Sequence, residues 1–300
     1  MGSGSFDANS YRAYSTAASS KPREEVFTSR SIDPGMDPKK ITMRESRDSA
    51  DSPRSTPLIV ALDVTGSMGA IAEALAKQGI GTLFTEILDR KPISDPHLMS
   101  MGIGDAKHDQ FPLQVSQFEA DNRAVEQLTK LYLEGGGGGN DSESYNFPWY
   151  FAANHIVHDS WEKRRKRGYL FTVGDENAPH DLSGNLVKKF TAGTPQVNQT
   201  SMEMLAAAER TFDVYHIIIA QGDFARSRGV DAVRKSWTPL LGQRAIVLRD
   251  YTKLAETVVG AISIAEGNDH ATATKGFAPV VLDAVRSLPR GRTKLLPSSR

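Results

Sequence analysis

The stretch Pro57-Leu58-Ile59-Val60-Ala61-Leu62-Asp63-Val64-Thr65-Gly66-Ser67-Met68-Gly69 decides how the rest of the chain folds. Leu58 to Leu62 is apolar without alternation, the pattern of a strand covered on both faces. The Ala-, Leu- and Ile-rich residues that run on to Arg90 carry helical spacing. One carboxylate, Asp63, and two hydroxyls, Thr65 and Ser67, therefore stand at the carboxyl end of a central strand, where open α/β sheets bind their ligands.

Outward from that run, His97 to Gly104 reads as a second strand and Leu113 to Phe118 alternates as a half-exposed edge strand does. The segment between them is too short for a parallel crossover, so the pair is expected to be an antiparallel hairpin. Asp121 to Leu133 has helical spacing with Asp121 as N-cap, and a second helical pattern runs through Trp161 after the glycine run 135–139. Lys163-Arg164-Arg165-Lys166-Arg167-Gly168 closes that helix, with cations at the negative end of its dipole and Gly168 as the C′ residue. Tyr169 to Gly174 is a buried strand that ends in Asp175-Glu176-Asn177. Helix Thr200–Arg210, strand Phe212–Ala220, helix Arg226–Leu241, strand Arg244–Leu248 and helix Thr252–Glu266 complete the pattern. The fold class is α/β: a doubly wound, mostly parallel six-stranded sheet of order 3-2-1-4-5-6, with one antiparallel edge strand and helices on both faces. In that order Asp63 and Asp175 face one crevice.

Three parts are expected. Residues 1–55 are rich in Ser, Arg, Asp and Pro with little apolar pattern, so they form an extension that is disordered or ordered by a partner. Residues 56–267 form the domain. Residues 268–300 are a C-terminal extension with one helix over Val280–Leu288 and a frayed basic end. Acidic and basic residues balance at 36 each, which argues against a whole-protein nucleic-acid or membrane-surface role and for a specific site. With no cysteine, disulfide scaffolds, thiolate metal sites and thiol nucleophiles are excluded. The first residues lack an apolar leader core and no run approaches eighteen apolar residues, so a cytoplasmic protein is expected.

Asp63, Thr65, Ser67 and Asp175 offer hard oxygen and no imidazole or sulfur, a set suited to Mg2+, with Mn2+ and Ca2+ sharing the preference. Magnesium usually leaves part of its coordination to another molecule, and an acidic side chain from a partner is the natural last ligand. The bland reading is that Thr65 and Ser67 cap the following helix and Asp175 is a loop acid.

Asp63-Val64-Thr65-Gly66-Ser67-Met68 resembles the Asp-x-Ser/Thr-x-Ser signature of the von Willebrand factor type A domain, whose metal-ion-dependent adhesion site binds a divalent cation. The resemblance covers about residues 56 to 266. It implies that Thr65 and Ser67 ligate the metal directly, while Asp63 and Asp175 act through water or as acceptors behind the ligands. The family usually places Gly-Gly-Thr in its middle loop. This chain has Gly137-Gly138-Gly139-Asn140-Asp141, so the threonine hydroxyl is missing, and Asn140 and Asp141, or Ser142, are left to take its role. The loop looks like that of a divergent branch that includes the type A domains attached to alpha-kinases, although no kinase domain accompanies it here. The resemblance implies a non-enzymatic module whose partner contributes a carboxylate to the metal within an intracellular assembly, an AAA+ ATPase being one such partner.

An enzymatic alternative is a serine hydrolase. Thr65-Gly66-Ser67-Met68-Gly69 departs from the Gly-x-Ser-x-Gly elbow only at its first residue, and Asp175, Asp213, His180 and His216 are available partners. An aspartyl phosphohydrolase would want a second acid at position 65, and no phosphate-binding Gly-Lys-Ser/Thr loop is present. His155 and His158 are expected to be solvated or capping residues, and His216, Met99 and Met101 core residues.

Overall fold

A computed structural model of the protein describes residues 31–75, 80–133, 141–193 and 198–292. Its strands in chain order are β1 (Arg44–Ser46), β2 (Thr56–Asp63), β3 (Pro96–Ile103), β4 (Leu113–Val115), β5 (Ile156–His158), β6 (Gly168–Gly174), β7 (Phe212–Ile219) and β8 (Ala245–Leu248). The main sheet has the order β4-β3-β2-β6-β7-β8, which is the expected 3-2-1-4-5-6 winding. All neighbours run parallel except the β3–β4 hairpin, where Met101, Gly102 and Ile103 face Val115, Gln114 and Leu113.

Strand β2 is central, with Leu58 opposite Leu98 on one side and Tyr169 on the other. Every residue of it is buried, because successive side chains enter two separate cores. Leu58, Val60 and Leu62 pack with Phe84, Ile87, Val258 and Ile262 from helices Ile80–Arg90 and Leu254–Ala265. Ile59 and Ala61 pack with Phe147, Phe151, Leu205 and Trp237 from helices Asn146–His155, Ser201–Ala208 and Val230–Leu241. Met99 and Met101 are fully buried in the second core, as their spacing predicts.

Several sequence expectations need correction. The extension assigned to residues 1–55 is not loose from residue 31 onward. Strand β1 pairs in parallel with β5, Met36 and Ile41 enter the two cores, and Ser46 and Ser55 are fully buried. Composition underrates this segment because the attraction is electrostatic and comes from far along the chain. Arg164 donates to both carboxylate oxygens of Asp48 at 2.7 and 3.1 Å, and Arg47 pairs with Asp159 at 2.9 Å. The basic run is thus more than a dipole cap: Lys166 pairs with Glu266 and Arg167 with the buried Asp213.

The helix expected to run through Trp161 is broken into Asn146–His155 and Asp159–Arg164, because residues 156–158 extend to pair with β1. Its C-terminal residue in left-handed conformation is Arg165 (φ 54°), and Gly168 instead begins β6. The helix placed over Asp121–Leu133 spans only Arg123–Leu128; Asp121 precedes it and accepts from the Arg123 backbone N–H. Residues 268–292 are not an appendage either, since Val285 and Leu288 complete the first core and helix Pro279–Val285 lies within the expected terminal segment. Among the described residues no helix is long and apolar enough to cross a membrane.

The three histidines beside this N-terminal segment are buried and hydrogen-bonded. His97 Nδ1 meets Ser46 Oγ at 3.1 Å, His155 Nδ1 meets the Thr42 carbonyl at 3.0 Å, and His158 Nδ1 accepts from the Trp161 N–H at 3.1 Å. His158 is therefore a cap, and none of the three is solvated. Burial lowers the His158 pKa from its ordinary 6.5 to about 4. Because the folded value lies below the unfolded one, this contribution to stability is complete above pH 6.5 and is lost as the pH falls toward 4. Urea unfolding between about pH 7 and pH 4.5 is expected to show the native protein losing about 2 to 3 kcal/mol more than H158N, whose amide retains the cap without titrating. Equal losses in the two proteins would show that His158 is not held neutral by the fold.

Candidate functional site

At the carboxyl ends of β2 and β6 the sheet presents acids beside hydroxyls. Asp63, the last residue of β2, is fully buried and accepts three hydrogen bonds: Oδ1 from Thr65 N at 3.0 Å and Thr65 Oγ1 at 2.6 Å, and Oδ2 from the Tyr145 hydroxyl at 2.7 Å. The backbone turns immediately after β2, and Val64 N donates to Ile103 O on β3. This turn places Thr65 Oγ1 and Ser67 Oγ 3.3 Å apart. Ser67 Oγ donates to Asp175 Oδ1 at 2.9 Å, one residue beyond β6, and Asp175 Oδ2 accepts from Phe224 N at 2.8 Å. Thr65 with Asp63 and Ser67 with Asp175 thus form two hydrogen-bonded pairs on neighbouring strands, and their hydroxyl oxygens face each other between the pairs. Neither hydroxyl caps the following helix Gly69–Ala74, whose N-cap is Met68 and has no side-chain cap.

Two glycines make room for this arrangement. A Cβ on Gly174 would overlap the Tyr145 hydroxyl, and one on Gly222 would overlap the Asp175 carboxylate. Tyr145 itself is wedged edge-on against His216 and Trp237, with ring centroids at 4.9 and 5.4 Å.

The electrostatics are unbalanced. Burial, and next the nearby Asp175, raise the Asp63 pKa, and burial raises that of Asp175. Glu176 is pushed up to about 8 by burial first and by Asp63 and Asp175 after it. Among the described residues no Lys, Arg or His forms an ion pair with any of the three. Each carboxylate would be relieved by an added cation.

Of the residues singled out in the sequence, Asp63, Thr65, Ser67 and Asp175 come together. Asp141 lies at the rim, largely exposed, where its carboxylate meets His180 Nε2 at 2.8 Å and its carbonyl accepts from Asn177 N at 3.3 Å. Asn140 falls outside the described residues, and Ser142 is turned to the Ala178 carbonyl at 3.0 Å. Tyr145 and Glu176 belong to the site but carry no spacing signal. Glu176 stands next to Asp175 in the sequence, which is the only hint of it.

As a host for a cation the set is specific in kind. No three Asp, Glu or His side chains among the described residues are grouped as ligands of a single ion, so a site here depends on the two hydroxyl oxygens, with Asp63 and Asp175 acting through them. The hydroxyl protons are directed to those carboxylates, which leaves the oxygens free to act as donors of lone pairs. A nucleophilic serine needs a base, but among the described residues no imidazole is hydrogen-bonded to Ser67. His180 is with Asp141, and His216 is buried against Thr172 Oγ1 at 2.9 Å.

No protein-family model matches the chain, and no curated protein does. Among solved structures it aligns with the pilus adhesin SpaC from Lactobacillus rhamnosus GG. With the open conformation the TM-score is 0.46 and the identity 7%, over 71% of this chain and 30% of the adhesin. With a second crystal form the values are 0.46 and 8%, over 74% and 32%. A von Willebrand factor type A structure from Catenulispora acidiphila aligns with a TM-score of 0.39 and 13% identity, over 72% of this chain and 43% of the other. The chain therefore spans less than half the length of each of these structures.

Removing the hydroxyl in Y145F leaves one oxygen of a fully buried carboxylate without its donor. A loss of about 1 to 3 kcal/mol in urea unfolding is expected, and G174A should cost at least as much because the ring itself must move. Unchanged midpoints in both variants would show that Tyr145 does not hold Asp63.

Proposed function

We propose that Thr65 and Ser67, backed by Asp63 and Asp175, hold a divalent cation and that the chain is a metal-dependent protein-binding module of the von Willebrand factor type A kind. The observation that carries this reading is the pair of hydroxyl oxygens 3.3 Å apart, each giving its proton to a buried carboxylate that pairs with no cationic side chain among the described residues. The residue spacing of Asp63, Thr65 and Ser67 and the doubly wound order of the sheet support it as well. Mg2+ is the favoured ion on donor chemistry, with Mn2+ and Ca2+ able to replace it. Such an ion keeps open coordination positions, and a carboxylate from a protein partner fills one of them. The setting we propose is a cytoplasmic assembly, and an AAA+ ATPase is the partner class that the family resemblance implies. In this reading Asp141, whose carboxylate meets His180, and Asn140 are the further candidates of the middle loop for the ion.

Ser67 is half-buried while Asp63 is fully enclosed, so S67A is the cleaner disruption. In isothermal titration the native protein is expected to bind Mg2+ and S67A to lose detectable binding, with both melting alike in chelator to within about 1 kcal/mol. Affinity purification from the native host should then retain a partner in Mg2+ and release it in chelator. No Mg2+ binding by the native protein, or equal binding by S67A, would overturn the site. Chelator-insensitive turnover of an ester or phosphoester that disappears in S67A would instead favour the hydrolase reading.

A further inference from the structure

Glu176 sits in the middle of this site without a role in it. Its backbone is fixed from several sides: the carbonyl accepts from Trp237 Nε1 at 3.0 Å, Asn177 N donates to Asp141 O at 3.3 Å, and Ala178 N donates to Ser236 Oγ at 2.9 Å. These bonds anchor the backbone that carries the side chain to helix Val230–Leu241. Only 5% of the residue is exposed, and a glutamate is almost never buried so deeply unless it is paired.

The donors around it are already spent. Glu176 shares the Ser67 hydroxyl, but that group has one proton, which Asp175 Oδ1 takes at 2.9 Å. The Tyr145 hydroxyl serves Asp63 Oδ2, and Thr65 Oγ1 serves Asp63 Oδ1. Glu176 Oε2 is buried and accepts no hydrogen bond from any of the described residues. The Glu176 carboxyl group thus reaches the Ser67 hydroxyl, whose proton goes to Asp175, and keeps one buried oxygen with no positive partner; a hard cation on the hydroxyl oxygens is a group that satisfies it.

We propose that Glu176 Oε2 is a direct ligand of the cation held by Thr65 and Ser67, so that the inner protein ligands are two hydroxyls and one carboxylate. This rests on the cation reading of the site. It is consistent with the lack of any three-fold grouping of acids and histidines among the described residues, since only one carboxylate is required to touch the ion.

The test is Mn2+ binding to the full chain, read both as affinity and as the number of waters on the bound ion, the latter from broadening of the Mn2+ electron paramagnetic resonance by 17O-labelled water. The native protein, E176Q, E176A and S67A are compared, with circular dichroism in chelator confirming the fold. E176Q is expected to weaken Mn2+ at least about tenfold, and E176A, at saturation, to carry one more water than the native site. Unchanged affinity overturns the assignment and shows that Glu176 is satisfied without metal. Because a glutamine oxygen can itself remain on the ion, the water count is decided in E176A: weaker binding there with an unchanged count also overturns the assignment, since the residue then acts only through its charge. Absence of Mn2+ binding by the native protein overturns the cation reading itself, which separates that failure from the failure of Glu176 as ligand.

Discussion

The burial of Asp63 is the constraint around which the carboxyl end of this sheet is built. A carboxylate with no exposed surface at the end of a central strand is tolerable only if its oxygens are met by donors, and three are supplied. Two come from Thr65, within the same turn. The third, Tyr145, arrives from a loop 82 positions away and requires the missing Cβ of Gly174. Tyr145 is in turn braced by His216 and Trp237, whose rings stack at 3.6 Å between centroids, and Trp237 also holds the Glu176 carbonyl. Satisfying one acid therefore couples the turn after β2, the loop before helix Asn146–His155 and the helix Val230–Leu241.

The two ends of the sheet treat acids differently. Away from the candidate site, buried or half-buried acids are matched by arginines: Asp48 by Arg164, and Asp213 by both Arg167 and Arg292 at 2.8 Å. Glu266 is shared by Arg292 and Lys166 and accepts from the Tyr169 hydroxyl at 2.6 Å. These contacts tie the N-terminal segment and the C-terminal residues onto the domain. At the carboxyl end, Asp63, Asp175 and Glu176 receive only hydroxyl and backbone donors among the described residues. A chain with equal numbers of acidic and basic residues has thus concentrated uncompensated acid at one place, which overall charge conceals. Leaving three carboxylates together without a cation works against folding, and such sites are where binding or chemistry is found.

The sheet was legible because its signals are local. An unbroken apolar run marks β2, the short connection after β3 forces a hairpin, and alternation of strands with helices limits the winding to very few orders. What was not legible depends on partners distant in the chain. Residues 156–158 are too short a run to stand out inside a helical pattern, although Ile156 and Val157 are β-branched, and they extend because Arg44–Ser46 lies alongside them. That segment is held in turn by Asp48 and Arg164, a pair 116 positions apart that no composition rule counts.

The same division runs through the site. Asp63, Thr65 and Ser67 can be read directly, since alternate residues after a strand end place one acid and two hydroxyls in a single turn. Asp175 follows from strand order alone. Tyr145 and Glu176 cannot be found this way, since each is defined by a shortage it relieves or suffers in three dimensions: one oxygen of Asp63 that needs a donor, and one serine proton for two acids. Gly222 shows the same logic from the opposite side. It looks like ordinary turn punctuation after β7, yet its missing side chain is the space into which the Asp175 carboxylate fits. From there Asp175 reaches Phe224 N on the next helix and Ser67 on the first turn, so the distance between the two halves of the site is set by an atom that is absent.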